Sequence, residues 1–156
     1  MTDAAPGDPP AGPRRARPDD YDAIAAVVDD WWGRPILSIL PRLFLDHFHA
    51  TSLVSEDPEG LAAFLVGLLP PDRAGGAYIH FVGVAPRARR RGVARALYDE
   101  FFQAARRAGY GSVAAITSPL NTTSIEFHRG LGFTVDGPVR DYNGPGQDMI
   151  TFHRRL

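Results

Sequence analysis

The first hydrophobic residues of the chain recur at the spacing of an α-helix. After Asp19 and Asp20, either of which can cap a helix, apolar residues return every three or four positions. This apolar set is Ile24, Val27, Val28 and Trp31. A second short helix is predicted over residues 40–50, where Leu40, Phe44 and Phe48 have helical spacing. The pattern therefore predicts a pair of helices, preceded by a short strand at residues 14–17.

Longer apolar runs then predict strands. Residues 51–56 and 61–69 flank DPEG, a turn signal that predicts a β-hairpin. A third run, residues 76–86, ends at Pro86. Helical patterns at 93–108 and 121–129 then alternate with strand patterns at 112–118, 133–137 and 148–155. Strand, helix and strand in succession imply a parallel pair, so we predict a single α+β domain. Its sheet is mixed, mostly antiparallel, and has about seven strands flanked by about four helices.

Composition narrows the possible chemistry. The chain has no cysteine, and all 17 of its basic residues are arginine. Disulfides, thiolate metal sites, a cysteine nucleophile and a lysine Schiff base are therefore excluded, and we expect no metal. A formal net charge of −1 argues against a general nucleic-acid binder. The apolar runs are also too short for a membrane span, so neither nucleic acid nor membrane is an expected partner.

Residues 1–13, MTDAAPGDPPAGP, have the composition of a disordered leader. They contain four prolines and no apolar stretch, and they lack the basic start and apolar centre of a secretory signal. We therefore expect the folded domain to occupy residues 14–156 and the protein to be cytoplasmic.

Positive charge is concentrated in residues 85–97, APRARRRGVARAL, directly before a predicted helix. The arginines are Arg87, Arg89, Arg90, Arg91 and Arg95. Cations are unfavourable at a helix N-terminus, because the helix dipole is positive there. However, free N–H groups at the helix start and close approach allowed by Gly92 favour phosphate binding. A ligand with several phosphates would explain the charge, and the alternative is an ordinary solvated surface run.

This stretch resembles the acyl-CoA signature of the GNAT acetyltransferases, V-x-P-x-x-R-x-x-G-x-[GA]. The matching positions are Val84, Pro86, Arg89, Gly92 and Ala94. A second block of the family resembles residues 121–133, NTTSIEFHRGLGF, with an asparagine, a small residue three positions later and an aromatic pair before Gly-Phe. The two blocks occur in the expected order, and the resemblance covers roughly residues 14–156.

The resemblance implies acetyl-CoA as co-substrate and direct transfer of its acetyl group to a primary amine within a ternary complex. Loop amides would hold the pyrophosphate, and a backbone N–H of Val82–Val84, freed by a bulge at Gly83, would stabilise the oxyanion. The cofactor-binding residues so implied are Val82, Gly83, Val84, Arg87, Arg89, Arg90, Arg91, Gly92, Val93, Ala94, Asn121, Ser124 and Phe127. For Asn121, contact with the pantetheine arm competes with a role as a helix cap.

The proton donor is the clearest departure from the family. His128 stands where the family usually carries a tyrosine that protonates the leaving thiolate. A histidine can donate a proton, so His128 is the candidate catalytic acid. The alternative is a packing role beside Phe127.

The candidate general base also differs from the residue that the family often uses. Relatives often use a carboxylate on the strand before the signature, but no Asp or Glu lies between Gly75 and Val84. His80 is the only side chain there that titrates near neutrality, so it is the candidate base. The alternatives are a satisfied core histidine or a water relay to Glu56 or Asp141.

The acceptor amine is not identified by these patterns. Candidate acceptor-binding residues are Trp32, Arg34, Tyr78 and Tyr142. Trp31 and Trp32 are adjacent and cannot both face inward on one helix, which leaves one of them for the pocket. The acceptor is a small molecule or a peptide. Two competing functions are a non-catalytic acyl-CoA sensor and a nucleic-acid-binding module, and a homodimer is compatible with the family.

Overall fold

A computed structural model describes residue 8 and residues 10–156 of the chain. Within these residues, seven strands form one mixed sheet with the order β1-β2-β3-β4-β5-β7-β6. The strands are β1 (Arg14–Arg15), β2 (Leu53–Asp57), β3 (Gly60–Leu68), β4 (Ala77–Val84), β5 (Ser112–Thr117), β6 (Thr134–Val139) and β7 (Met149–Arg155). The helices are α1 (Asp20–Trp32), α2 (Leu43–Phe48), α3 (Val93–Arg107) and α4 (Thr122–Gly130). The predicted α+β class and sheet are confirmed.

The predicted parallel strand pair is also confirmed. β4 and β5 run parallel, with Ala77 opposite Val113 and Tyr78 opposite Ala114. Antiparallel pairing joins β1 to β2, β2 to β3, β5 to β7 and β6 to β7. The described chain forms two compact units, one of residues up to Gly67 with Phe81–Phe101, the other of Leu68–His80 with Phe102–Leu156.

The first unit buries the apolar faces of its helices against the β2–β3 hairpin. The fully buried side chains include Ile24 and Val28 of α1, Leu45 of α2, Phe64 of β3 and Leu97 of α3. Each buried side chain of this size contributes about 1.5–3 kcal/mol relative to exposure. Burial of these stripes therefore holds the helices of this unit against the hairpin.

The ordered contacts of this unit begin before residue 14. The Ala11 N–H donates to the Glu56 carbonyl at 2.7 Å, and the Ser55 hydroxyl donates to the Ala11 carbonyl at 2.6 Å. Residues 10–13 thus lie alongside β2, although they belong to the segment predicted as a disordered leader. Residues 1–7 and 9, which make up most of that leader, lie outside the described residues.

The second unit is built on α4 and the strands β5 to β7. Its buried residues include Phe102, Val113, Leu131, Phe133 and Phe152. The Arg154 guanidinium lies over the Phe102 ring at 4.4 Å from its centroid, and its Nε donates to the Leu131 carbonyl at 2.9 Å. These contacts hold the end of α4 against β7.

Three local predictions need correction. Leu45, rather than Phe44 or Phe48, is the buried residue of α2, because this short helix begins at Leu43 and turns its middle inward. The apolar spacing along residues 93–108 predicts that Ala104 faces the core, but Ala105 is the buried residue in the last turns of α3 and Ala104 is only half-buried. The first strand ends at Arg15 rather than at residue 17.

No helix in the described part of the chain has both the length and the apolar character needed to cross a membrane.

Candidate active site

The turn that leads from β4 into α3 has the backbone of an anion site. Gly92 precedes the helix directly, and its carbonyl accepts the Ala96 N–H at 3.0 Å. The N–H groups of Gly92, Val93 and Ala94 therefore belong to the set that a helix leaves without an intrahelical acceptor. These groups and the positive end of the helix dipole favour a phosphate at this position.

Gly92 is required here for conformation rather than for space. Its φ of 75° lies in the left-handed region that favours glycine. A Cβ placed on Gly92 would have no heavy atom within 4 Å, so the space next to this backbone is open. An open volume beside helix N–H groups is what a phosphate ligand needs.

Arg87 is engaged by the turn of the β2–β3 hairpin. Its Nε lies 2.8 Å from Asp57 and 2.8 Å from Glu59, and its Nη2 donates to the Leu61 carbonyl at 2.9 Å. The hydrogen bond between the two side chains lowers the pKa of Asp57 and raises that of Arg87. The predicted cofactor contact of Arg87 stays a prediction, and this pairing favours a role in holding the loop.

Arg89 is directed toward the end of α1. Its Nη2 donates to the Trp31 carbonyl at 2.6 Å, and its Nε donates to the Val84 carbonyl at 3.3 Å. The side chain of the signature arginine thus joins the loop to a helix 58 residues earlier. Its direct contact with phosphate likewise stays a prediction.

The remaining arginines of the loop are exposed. Arg90, with φ of 63°, and Arg91 and Arg95 lie at the surface around the start of α3. A groove of about 120 Å³ adjoins them and is lined in part by Arg91, Gly92 and residues 10–13. These three exposed side chains add positive charge around the start of α3.

The two faces of β4 differ as the sequence alternation predicted. Tyr78, His80, Val82 and Val84 are half-buried and share one face, while the residues between them are buried on the other. Burial, and the nearby hydroxyl of Tyr142, raise the pKa of Tyr78. The Tyr78 and His80 ring centroids are 6.3 Å apart. The half-buried face thus places the candidate base two residues from the predicted oxyanion segment.

Gly83 is needed for packing. It lies on the buried face of β4, and a Cβ there would come 2.5 Å from Cε1 of Phe64. Phe64 is itself buried and stacked on Phe81 at 5.7 Å between centroids. A side chain at Gly83 would therefore displace the aromatic core, whatever the strand does for the ligand.

His128 is buried among aromatic rings. It is 5% exposed and stacks on Phe152 with 3.9 Å between centroids, and its edge contacts Phe127 and Phe133. Its Nδ1 lies 2.7 Å from the Ser124 carbonyl. Because a carbonyl only accepts, Nδ1 carries the hydrogen.

Burial among these aromatic rings determines the charge state of His128. Burial lowers the pKa of His128 below its ordinary value of 6.5, since a charged imidazolium loses hydration there. The ring is therefore neutral at pH 7, with its hydrogen on Nδ1 and an acceptor at Nε2. In this tautomer the ring has a single N–H group, and that group donates to the Ser124 carbonyl.

The other residues of the second block organise the start of α4. The Asn121 side chain accepts the Ser124 N–H at 3.2 Å, so its predicted role as a helix cap is confirmed. The Ser124 hydroxyl lies 3.3 Å from Nδ1 of His128, and Phe127 is half-buried. Contact of these residues with the pantetheine arm stays a prediction.

Both tryptophans contact phenylalanines of the sheet, and the place of one of them in the acceptor pocket stays a prediction. The Trp32 ring lies 4.7 Å from Phe81 and the Trp31 ring 6.2 Å from Phe64, measured between centroids. Each tryptophan is half-buried, because α1 ends over this pair of phenylalanines. Arg34, two residues beyond the helix, is exposed.

Two aspartates that shape the site were missed. The sequence patterns place Asp57 only in the DPEG turn and assign no role to Asp29. Asp29 accepts the N–H groups of Ile36 and Leu37 at 2.8 and 2.9 Å, which fastens the loop carrying Arg34 to α1. For Asp57 the sequence does contain a clue. The arginine stretch has no acid of its own, so an acidic partner for its arginines has to come from another segment.

No cluster of three or more His, Asp or Glu side chains capable of holding a metal ion occurs in the part of the chain that the structure describes.

Residues 14–133 match the family model described as Acetyltransferase (GNAT) family. The chain belongs to the GNAT acetyltransferases. The match includes the turn before α3 and all of α4, so both blocks that carried the resemblance lie inside it. No curated protein sequence matches this GNAT chain.

Solved structures with the same fold include several acetyltransferases. A GNAT-family protein from Desulfovibrio desulfuricans is 21% identical, with a TM-score of 0.78 over 92% of this chain and 97% of its own. yncA from Salmonella typhimurium, solved with its cofactor acetyl-CoA, is 23% identical, with a TM-score of 0.67 over 92% of each chain. Naa20 from Chaetomium thermophilum, in complex with a bisubstrate analogue, is 26% identical, with a TM-score of 0.71 over 93% of this chain and 85% of its own.

Proposed function

We propose that this chain transfers the acetyl group of acetyl-CoA to a primary amine of a small molecule or a peptide. The observation that carries the proposal is the start of α3, where Gly92 and the following helix N–H groups border open space. Membership of the GNAT family and the acetyl-CoA bound to yncA support the same donor. The bisubstrate analogue bound to Naa20 is in keeping with direct transfer between two bound substrates.

The pyrophosphate would be held by backbone rather than by a large set of side chains. N–H groups of Gly92, Val93 and Ala94 donate to its oxygens, and Arg90 and Arg91 supply positive charge around them. Hydrogen bonds to a charged group contribute about 1.5–3 kcal/mol each. Two or three such bonds would contribute much of the affinity for a diphosphate at this turn.

Strand β4 would present the reacting groups. Acetyl-CoA supplies an activated thioester, and a backbone N–H within Val82–Val84 donates to its carbonyl oxygen. His80 lies on the same strand face, two residues from Val82, which is about 7 Å along a strand. His80 therefore takes the proton of the attacking amine directly or through one water.

We assign His128 to its packing alternative rather than to proton donation. Its ring is buried and stacked, and its Nδ1 hydrogen is directed to the Ser124 carbonyl. The leaving thiolate then departs without a side-chain acid. The modest basicity of a thiolate, whose conjugate thiol has a pKa of about 8.5, allows this.

The acceptor would meet aromatic and cationic side chains. Tyr78 lies on the half-buried face of β4, and burial followed by the charge of Tyr142 raises its pKa. Arg34 is exposed next to the end of α1, and a guanidinium pairs with carboxylate or phosphate in a two-pronged fork. Arg34 and Trp32 therefore favour an acceptor amine that also carries an anionic group.

A screen of amines with acetyl-CoA and detection of free thiol tests this function. We expect thiol release that depends on both an amine and the wild-type chain, and release at least about tenfold lower with Gly92→Val. Slow thiol release that no amine accelerates, from a protein that binds acetyl-CoA, would contradict transferase activity and favour a non-catalytic acyl-CoA sensor.

A further inference from the structure

The last turn of α1 lacks a cation of its own. It carries Asp29 and Asp30 and has no basic residue, although a helix C-terminus is the negative end of the dipole. The helix ends at Gly33, whose left-handed conformation with φ of 76° stops it. The Trp31 carbonyl is one of the last four carbonyls of α1, and these accept no hydrogen bond from an N–H of the same helix. This end of α1 therefore needs a donor with positive charge.

Arg89 supplies that donor from the phosphate loop. Its Nη2 donates to the Trp31 carbonyl at 2.6 Å, and its Nε donates to the Val84 carbonyl at 3.3 Å. One guanidinium thus bonds both the end of β4 and the end of α1. Any ordering of the backbone around Arg89 is transmitted to Trp31 through a short, charge-assisted hydrogen bond.

From Trp31 the connection continues to the candidate acceptor residues. Trp32 follows directly, and its ring lies 4.7 Å from that of Phe81 between centroids, tilted by 40°. The Asp29 carboxylate, one turn back along α1, accepts the N–H groups of Ile36 and Leu37 and so fixes the loop that contains Arg34. The end of α1 and this loop are therefore joined into one hydrogen-bonded segment.

We propose that Arg89 is a positioning residue that couples cofactor binding to the acceptor-binding segment formed by residues 31–37. Occupation of the loop by the coenzyme A pyrophosphate orders residues 89–94, and Arg89 passes this order to the Trp31 carbonyl. Acetyl-CoA then raises the affinity for the amine acceptor, and the coupling is reciprocal. The inference rests on the proposed function, because it takes coenzyme A as the ligand of the loop.

The two tryptophans allow a test that requires no acceptor. Trp31 and Trp32 are the only tryptophans of the chain, so fluorescence excited at a tryptophan-selective wavelength reports on this segment alone. We expect coenzyme A, at a concentration shown by calorimetry to saturate the protein, to change the tryptophan emission of the wild type. At saturation of the variant, Arg89→Gln loses this change, and Arg89→Lys, which keeps the charge without the fork, retains part of it.

The matched control is Arg129→Gln. Arg129 is an exposed arginine of α4 paired with Glu126, so the control makes the same chemical change away from this segment. We expect its emission change to equal that of the wild type. Thermal melting of every variant verifies that the fold is intact, and Arg89→Lys provides the comparison if Arg89→Gln does not fold.

The possible outcomes separate the coupling from the function. An emission change equal in wild type and Arg89→Gln would overturn the coupling, as would calorimetric binding to the wild type with no emission change. Complete loss of coenzyme A binding in a folded Arg89→Gln would also overturn it, because the guanidinium would then act on the cofactor itself. Failure of the wild type to bind coenzyme A at all would overturn the proposed function together with the coupling.

Discussion

Replacing His128 separates a packing histidine from a catalytic acid. His128→Ala removes a ring stacked 3.9 Å from Phe152 and a hydrogen bond of 2.7 Å to the Ser124 carbonyl. Loss of a buried ring and of one hydrogen bond together costs about 2–4 kcal/mol of unfolding free energy. For a chain of this length, that lowers the Tm by about 5–12 °C. His128→Phe keeps the ring and loses only the hydrogen bond, so it costs about 1–2 kcal/mol.

The same pair of variants predicts the pH dependence of stability. Because burial lowers the pKa of His128 in the folded protein, the unfolded chain binds its proton more readily. Stability therefore falls as the pH drops below the ordinary value of 6.5, and the decline ends below the folded-state pKa. His128→Phe removes this contribution. Melting curves between about pH 5 and pH 8 should show a smaller decline for His128→Phe than for wild type.

Turnover per folded molecule decides the chemical role. If His128 only packs, kcat of His128→Phe stays within about twofold of wild type once the folded fraction is measured, whereas loss of a general acid costs about 10²-fold or more. A stable His128→Phe protein with kcat reduced about 100-fold and unchanged acetyl-CoA affinity would show that the packing assignment is wrong. Restoration of the rate by His128→Tyr would then identify the position as the proton donor of the family.

Three further predictions concern the cofactor turn, the base and the acceptor. Gly92→Val should weaken acetyl-CoA binding, measured by calorimetry, at least about tenfold, because a residue with a branched side chain cannot easily adopt φ of 75°. The control is Gly109→Val, which changes a glycine with φ of 86° at the other end of α3 and should bind acetyl-CoA normally. His80→Gln should lower kcat by about 10²-fold or more, and an unchanged kcat would show that water rather than His80 takes the proton. Arg34→Ala should raise KM for an anionic acceptor about tenfold or more while acetyl-CoA binding is unchanged, and equal KM values would remove Arg34 from the acceptor site.

The parts of the fold that depend on local pattern could be predicted from the sequence. The helix over α1, the hairpin turned by DPEG and the parallel β4–β5 pair follow from periodicity, turn chemistry and connection rules. The Asn121 cap follows from residue type and place. The helix, the hairpin and the cap are determined by residues close together in the chain, whereas the β4–β5 pair follows from the order of strand, helix and strand.

The direction of long side chains could not be predicted in this way. Arg87 and Arg89 belong to a run of similar arginines, yet one turns to Asp57 and the other to the Trp31 carbonyl. Those partners are 30 and 58 residues away, and no periodicity links them. The burial of His128 was likewise hidden, because its stacking partner Phe152 lies on a strand that follows much later.

A structure of the chain with coenzyme A tests most directly whether the start of α3 is the donor site. The expected result is a pyrophosphate whose oxygens accept hydrogen bonds from the N–H groups of Gly92, Val93 and Ala94, with the Arg89 guanidinium still on the Trp31 carbonyl. Coenzyme A bound elsewhere, or a pyrophosphate held only by arginine side chains with these N–H groups facing solvent, would contradict the assignment.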